Sequence, residues 1–142
     1  MITRLGFFRV AALLLLATLN GFAQQQLVGP LYSENVTITS GTSVSTTLDL
    51  KSRPIVGVAL PSSWTTADIT FQVSFDGTTW HDVYSIWGDE LIVPAAASRY
   101  ITFSTYESLG ARYIRVRSGT AASAVNQAAD RTLRILTRKV SD

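Results

Sequence analysis

The sequence predicts an all-β fold: a two-sheet antiparallel β-sandwich of the jelly-roll type, preceded by an N-terminal apolar leader segment. Three observations predict it. After residue 24, runs in which apolar and polar residues alternate recur about every ten residues, which is typical of half-buried strands. Over the same region, no stretch of helical length has apolar residues at helical spacing. The length of 142 residues suits a single domain.

Residues 1–23 have the layout of a secretory signal peptide. Arg4 and Arg9 lie in its basic start, residues 10–19 form its apolar centre, and small residues precede a cleavage bond after Ala23. The centre is about half the ~20 residues that a membrane-spanning helix needs, so we expect no stable membrane span after processing. The alternative is an uncleaved apolar arm. The two arginines carry the whole formal net charge of +2, and the rest of the chain is formally neutral.

Residues 24–33 are predicted to form a linker, and residues 34–142 the β-sandwich domain. Three strands are predicted at the start of the domain, because valine, isoleucine and leucine there alternate with serine and threonine or form a short apolar run. These strands cover residues 35–39, 43–50 and 54–60. Gly41 marks the first turn, and Pro61 ends the third strand, since proline donates no hydrogen bond to a sheet.

The clearest unit is a hairpin. Residues 68–75 alternate apolar and polar side chains, Asp76 and Gly77 form the turn, and residues 80–85 return. An Asp-Gly pair between such runs predicts a tight turn, because glycine accepts the positive φ angle that the turn needs. Shorter alternating runs predict the remaining strands at residues 90–93, 99–103, 112–117 and 131–140. The small-residue stretch 118–130 is predicted to be a loop.

Catalysis and metal binding find little support in the composition. The chain has no cysteine and a single histidine, His81, which excludes thiolate zinc sites and cysteine nucleophiles. His81 and Asp82 are adjacent on a strand, so their side chains point to opposite faces and cannot pair. Candidate calcium ligands, which lack the spacing of a calcium-binding loop, are Asp76, Asp82, Asp89 and Glu90. We therefore predict no enzyme, with no catalytic residues, metal site or cofactor.

Basic residues on two of the predicted strands indicate an interaction face. One strand carries Tyr113, Arg115 and Arg117 opposite its apolar side, and the last strand carries Arg134 and Arg138 in the same way. If the two strands are neighbours, four arginines form a basic ladder that suits an acidic protein, a lipid headgroup or a polyanion. The alternative is a solvated face that keeps the protein soluble. Nucleic acid is not an expected partner, because few exposed aromatic residues accompany the basic ones.

Most of the predicted domain resembles small β-sandwich proteins encoded among the virion genes of tailed bacteriophages and prophages. The resemblance lies in DITFQVSFDGTTW at residues 68–80, ASRYI at 97–101, GARYIRVRSGT at 110–120 and NQAADRTL at 126–133. It implies a non-enzymatic structural protein, either a capsid decoration protein or a head or tail accessory subunit. The partners it implies are other virion or appendage subunits, including further copies of this chain, and the location it implies is the virion.

A looser resemblance is to discoidin-type galactose-binding-like domains, in which the patterns S-x-D-G-x-x-W and A-R-Y-I-R also occur, here at residues 74–80 and 111–115. It implies an alternative function: a secreted, periplasmic or cell-surface module that binds a glycan or an envelope polymer. Sugar recognition needs exposed aromatic side chains in loops. The candidates are Trp64, Trp87 and Tyr106; the alternative is that they are core or rim aromatics, and Trp64 is also expected to contribute to the core. Fold alone does not assign this function.

Overall fold

The computed structural model describes residues 29–103 and 110–139, and within them the chain is all-β. The strands are β1 (Leu31–Ile38), β2 (Leu48–Asp49), β3 (Ile55–Ala59), β4 (Ile69–Ser74), β5 (His81–Asp82), β6 (Tyr100–Thr102), β7 (Tyr113–Ser118) and β8 (Arg131–Arg138). The predicted leader, residues 1–23, lies outside the described residues. In the described part of the chain, no helix has the length and apolar character needed to cross a membrane.

The strands form two antiparallel four-stranded sheets with the orders β1-β8-β3-β6 and β2-β7-β4-β5. Successive strands alternate between the sheets except β4 and β5, which are neighbours in one sheet. This arrangement is the eight-stranded jelly roll, so the predicted fold class is confirmed. The hairpin predicted around Asp76 and Gly77 joins β4 to β5.

The core lies between the sheets because the longer strands turn their apolar residues inward. In β8, Leu133 and Ile135 are fully buried while Thr132 and Arg134 face solvent. Phe71 of β4 packs edge-on against Phe103, with ring centroids 5.6 Å apart. Apolar burial of this kind contributes about 25 cal/mol per Å² removed from water, and it fixes which face of each sheet remains for other contacts.

The predicted strand at 90–93 is reduced to isolated bridges at Glu90 and Val93, and two boundaries near the start of the domain differ from those predicted. β1 begins at Leu31 rather than at residue 35, because its first half pairs with β8 in a continuous ladder from Leu31–Arg138 to Ile38–Arg131. Residues 31–33, predicted to belong to the linker, are therefore part of the sandwich. The predicted strand at 43–50 is reduced to β2 and isolated bridges at Val44 and Ser45. Pairing with a distant strand, which local sequence does not reveal, decides both boundaries.

The predicted loop at residues 118–130 is held by one buried glutamine. Gln127 is fully buried; its side-chain amide donates to the Ser118 hydroxyl at 2.7 Å and accepts from the Thr65 backbone N–H at 2.9 Å. The same amide nitrogen donates to the Thr65 carbonyl at 3.2 Å. The loop is thereby fastened to the turn that follows β3, at the end of the sandwich where β7 ends.

Candidate interaction site

The predicted basic ladder does not form. β7 and β8 belong to different sheets, so Arg115 and Arg117 lie on one side of the sandwich and Arg134 and Arg138 belong to the opposite sheet. The reason is the jelly-roll connection, in which the loop after β7 carries the chain across to the other sheet instead of turning back beside β7. The predicted ladder required β7 and β8 to be neighbouring strands, and that prediction is wrong.

The β7 residues make internal contacts instead. The Arg115 guanidinium lies 3.8 Å from the centroid of the Trp80 ring and donates to the Thr47 hydroxyl at 3.1 Å. Tyr113 is half-buried, with the Arg112 guanidinium 5.0 Å from its ring centroid. Cation–π contacts of this kind order long side chains over a sheet. Because Arg115 and Tyr113 already make these intramolecular contacts, they are only partly available to bind a partner.

Arg117 is a buried ion-pair centre rather than part of an exposed face. It is only 8% exposed, and its guanidinium donates to Asp82 Oδ1 at 2.5 Å. A second guanidinium nitrogen lies 3.5 Å from Glu90 Oε1, an ion-pair contact longer than a hydrogen bond. Glu90 Oε1 also accepts from the Ala121 backbone N–H at 2.9 Å. One cation thus joins β7, β5 and the segment that contains Glu90.

That segment, residues 83–91, is a hairpin that leaves the β5 edge of its sheet; we call it the finger. At its base, Leu91 N–H donates to the Val83 carbonyl at 2.9 Å; further out, Ser85 N–H donates to the Asp89 carbonyl at 2.7 Å. At the tip, Gly88 has a φ angle of 87° and its N–H donates to the Ser85 carbonyl at 3.1 Å. The turn is therefore built by backbone bonds and a glycine conformation.

The finger tip presents large apolar side chains to solvent. Ile86 is 91% exposed and Trp87 is 82% exposed, and Tyr84 at the start of the turn is also exposed. Single exposed apolar residues are ordinary on protein surfaces. An adjacent isoleucine and tryptophan exposed on a hydrogen-bonded turn are unusual, because neither side chain packs against the described part of the molecule. Such an exposed apolar pair is typical of a contact surface. Among the predicted loop aromatics, Trp87 is the one the structure places outward.

The other two aromatic candidates have different outcomes. Trp64 is 6% exposed and belongs to the core, where its indole N–H donates to the Ala67 carbonyl at 2.9 Å. Its prediction as a ligand-binding aromatic is wrong, because the turn after β3 folds over the end of the sandwich and buries it. Tyr106 lies outside the described residues.

The four acidic residues considered for calcium do not share one site: Asp82 and Glu90 both contact Arg117, and Asp76 is engaged in its own turn. The Asp76 carboxylate accepts hydrogen bonds from the Thr79 and Thr78 backbone N–H groups, each at 2.7 Å, and from the Ser74 hydroxyl at 2.9 Å. The Thr79 backbone bond first, then that of Thr78, hold the Asp76 pKa well below its usual range. Within residues 29–103 and 110–139, no three His, Asp or Glu side chains are grouped so as to hold a metal ion. His81 is exposed on its strand.

A groove lies at the other end of the same sheet, and sequence reasoning missed it. It encloses about 630 Å³ between the β2–β3 turn, the residue after β4 and the start of β7. Its apolar lining includes Leu50, Pro54, Phe75 and Ala111, and its charged lining consists of three basic residues and one acid: Lys51, Arg53, Arg112 and Asp49. We call it the groove.

The turn that forms one wall of the groove is strained. Lys51 and Ser52 have φ angles of 51° and 62°, values that glycine and asparagine adopt more readily. The Arg53 N–H closes the turn on the Leu50 carbonyl at 2.9 Å. Beneath it, the Arg53 guanidinium pairs with the Glu34 carboxylate. These bonds hold the wall in one conformation.

Comparison with known proteins does not assign this chain to a class. No protein-family model matches the chain, and neither does any curated protein. The functional inference therefore rests on the finger, the groove and the fold that positions them.

Proposed function

We propose that the protein is a non-enzymatic structural interaction protein, of the kind that serves as a capsid decoration or head or tail accessory subunit in a phage-type virion. The observation that carries this proposal is the finger, with Ile86 and Trp87 exposed on a hydrogen-bonded turn. Jelly rolls occur in viral capsid domains, which is compatible with the proposal, although a fold by itself does not define a function.

The energetics of the finger suit a contact surface. Burying an aromatic side chain removes about 150–250 Å² from water, which at 25 cal/mol per Å² stabilises a complex by about 4–6 kcal/mol before ordering costs. Tryptophan is enriched among residues that dominate binding energy. Because the turn at Ser85 and Gly88 already orders the tip, little further entropy is lost on binding.

The anchoring of the finger supports the same function. A flexible apolar tip would lose conformational entropy on docking, at about 0.5–1.5 kcal/mol for each immobilised side chain. Here the base of the finger is fixed through Glu90 and Asp82 to the buried Arg117. We infer that the ion pairs of Arg117 hold the finger against the sheet. A finger that is already ordered loses less entropy when it binds a partner.

The proposal is tested on particles purified from lysates of cells that carry the gene. We expect peptides of this chain in the particle band of a density gradient, and we expect the Ile86→Ser/Trp87→Ser variant to stay in the soluble fraction. The matched control is Tyr100→Ser, which removes an exposed aromatic from the opposite sheet. Absence of the wild-type chain from every particle fraction contradicts the virion function.

Trp87 also favours one second candidate, a glycan- or envelope-polymer-binding module. Its indole ring is exposed, as stacking on a sugar ring requires. On this alternative, a glycan array shows saturable binding that Trp87→Ala abolishes, and particle fractions contain none of the chain. Particle association without glycan binding decides for the virion subunit.

A further inference from the structure

The finger and the groove lie at opposite corners of one sheet. The finger leaves the sheet beside Ile69 and Phe71, since Val83 N–H donates to the Phe71 carbonyl and Val93 bridges to Ile69. The groove begins at Phe75, beyond the other end of β4. At about 3.3 Å per residue, Thr70 and Phe75 are about 17 Å apart along the strand.

The two features are also separated across the sheet. The finger leaves the β5 edge, whereas the groove includes Asp49 of the opposite edge strand, β2. Three strand spacings of about 4.8 Å, or about 14 Å, separate the β5 edge from the β2 wall of the groove, and one spacing separates it from β4, which Phe75 follows. The finger is five residues from base to Trp87, at most about 14 Å long, and its Glu90 contacts Arg117, which pairs with Thr70 at the end of β4 away from the groove. A finger therefore cannot enter the groove of its own molecule.

The groove matches the finger tip in size and polarity. Its volume of about 630 Å³ falls within the range of about 300–1,000 Å³ typical of pockets that enclose compact apolar ligands. Leu50, Pro54 and Phe75 supply an apolar lining. An adjacent tryptophan and isoleucine form a compact apolar group of a size that such a pocket accepts.

Charge is complementary as well. Within the described residues, the Lys51 ammonium at the groove makes no ion pair, and neither does the Asp89 carboxylate, two residues beyond Trp87. Arg112 at the same groove is partly neutralised by Asp49, 3.4 Å away. An anionic tip facing a cationic rim favours one orientation of docking and speeds association.

We propose that the finger of one copy docks into the groove of a second copy, with Trp87 and Ile86 on the apolar lining and Asp89 facing Lys51. This inference rests on the proposed interaction function and names its partner. Because finger and groove are different surfaces, the contact is heterologous. Repeated contacts of this kind generate rings or filaments.

The test is sedimentation velocity of the purified full chain over a concentration series. We expect concentration-dependent association, weakened about 30-fold or more by Trp87→Ser, which is the loss expected for a residue that dominates binding. Tyr100→Ser is expected to associate as the wild type does. Thermal unfolding of each variant checks that it is folded. A wild-type chain that is monomeric throughout, or association that Trp87→Ser leaves unchanged, overturns the inference.

Charge reversal identifies the groove as the receptor. We expect Lys51→Glu and Asp89→Lys each to weaken association by up to about five-fold, as exposed pairs do. An equimolar mixture of the two variants is expected to associate more tightly than either alone, because each mixed contact restores a pair of opposite charges. Association that depends on Lys51 and Phe75 but not on Trp87 shows another occupant of the groove and overturns the inference.

Failure of this inference is distinguishable from failure of the proposed function. If the purified chain stays monomeric yet enters particles only with an intact finger, a different virion protein receives the finger. The interaction function then stands, and self-docking is refuted. If the chain neither self-associates nor enters particles, both proposals fail.

Discussion

Replacing Arg117 by methionine is expected to destabilise the domain and loosen the finger. The change keeps most of the buried side-chain length but removes the cation shared by Asp82 and Glu90. Breaking a fully buried ion pair costs about 3–5 kcal/mol, because the carboxylate left behind is poorly solvated. The Asp82 side chain is 30% exposed and the Glu90 side chain 12% exposed. We therefore expect a loss of about 2–4 kcal/mol after allowing for this partial solvation.

The assay for this prediction is urea unfolding together with amide hydrogen exchange. We expect the unfolding midpoint to fall. Relative to the wild type, we expect amide exchange at Ser85 and Asp89 in the finger to accelerate more than amide exchange in β8. The matched control is Arg115→Met, which removes a partly exposed guanidinium from the same strand and is expected to cost less than about 1 kcal/mol. A second control adds Asp82→Asn and Glu90→Gln to Arg117→Met, which removes the stranded charges.

Two results would refute this reasoning. A loss below about 0.5 kcal/mol for Arg117→Met would mean that solvent screens the pairs as it does at an exposed site. No recovery in the triple variant would mean that lost packing, rather than unpaired carboxylates, causes the instability. In either case the ion-pair centre would not be what fixes the finger.

Three further predictions concern residues away from this centre. Trp64→Ala is expected to cost about 3–5 kcal/mol in unfolding free energy, whereas Trp87→Ala costs less than about 0.5 kcal/mol; equal losses in urea unfolding would contradict their assignments to core and surface. Gln127→Leu leaves the Thr65 backbone groups and the Ser118 hydroxyl without their hydrogen-bond partner, and it is expected to lower the unfolding free energy by about 2–3 kcal/mol. Calorimetry checks this, and an unchanged melting temperature would contradict it. Because its folded-state pKa is depressed, Asp76 stabilises the domain above its unfolded pKa of about 4. The melting-temperature deficit of Asp76→Asn should therefore shrink as pH falls below 4, and a pH-independent deficit would refute this.

Local patterns predicted most strands and the sandwich, because strand burial and hairpin turns are encoded over a few residues. Alternation in residues 68–75 and the Asp76–Gly77 turn predicted the β4–β5 hairpin, which the structure contains. The two-sheet sandwich class follows from the number of strands and the lack of helical segments. These features depend little on which distant residues meet.

Features that depend on distant partners were not predictable in this way. Alternation placed Arg117 on the outer face of β7 correctly, but it could not show that Asp82 and Glu90 cover it. The basic ladder required β7 and β8 to be adjacent, and strand order is set by packing of the whole domain. Sequence left Trp64 open between a core aromatic and a loop aromatic, and it is buried because that loop closes the sandwich.

The finger had a local signal that alternation analysis passed over. Ser85 and Gly88 bracket Ile86 and Trp87, and a glycine three residues after a serine is typical of a turn. Predicting strands at 80–85 and 90–93 left the residues between them unassigned, although two such strands at that distance are typical of a hairpin. The groove had no such signal, since its lining comes from three separate segments of the chain.

The most direct test of the central claim, that the finger is the contact surface, is site-specific crosslinking in the native assembly. A photoreactive phenylalanine analogue replaces Trp87 in one sample and Tyr100 in a matched sample. We predict a covalent adduct at position 87, joined to residues 49–54 or 110–112 of a second copy, and none at position 100. Adducts at position 100 with none at position 87 would contradict the claim.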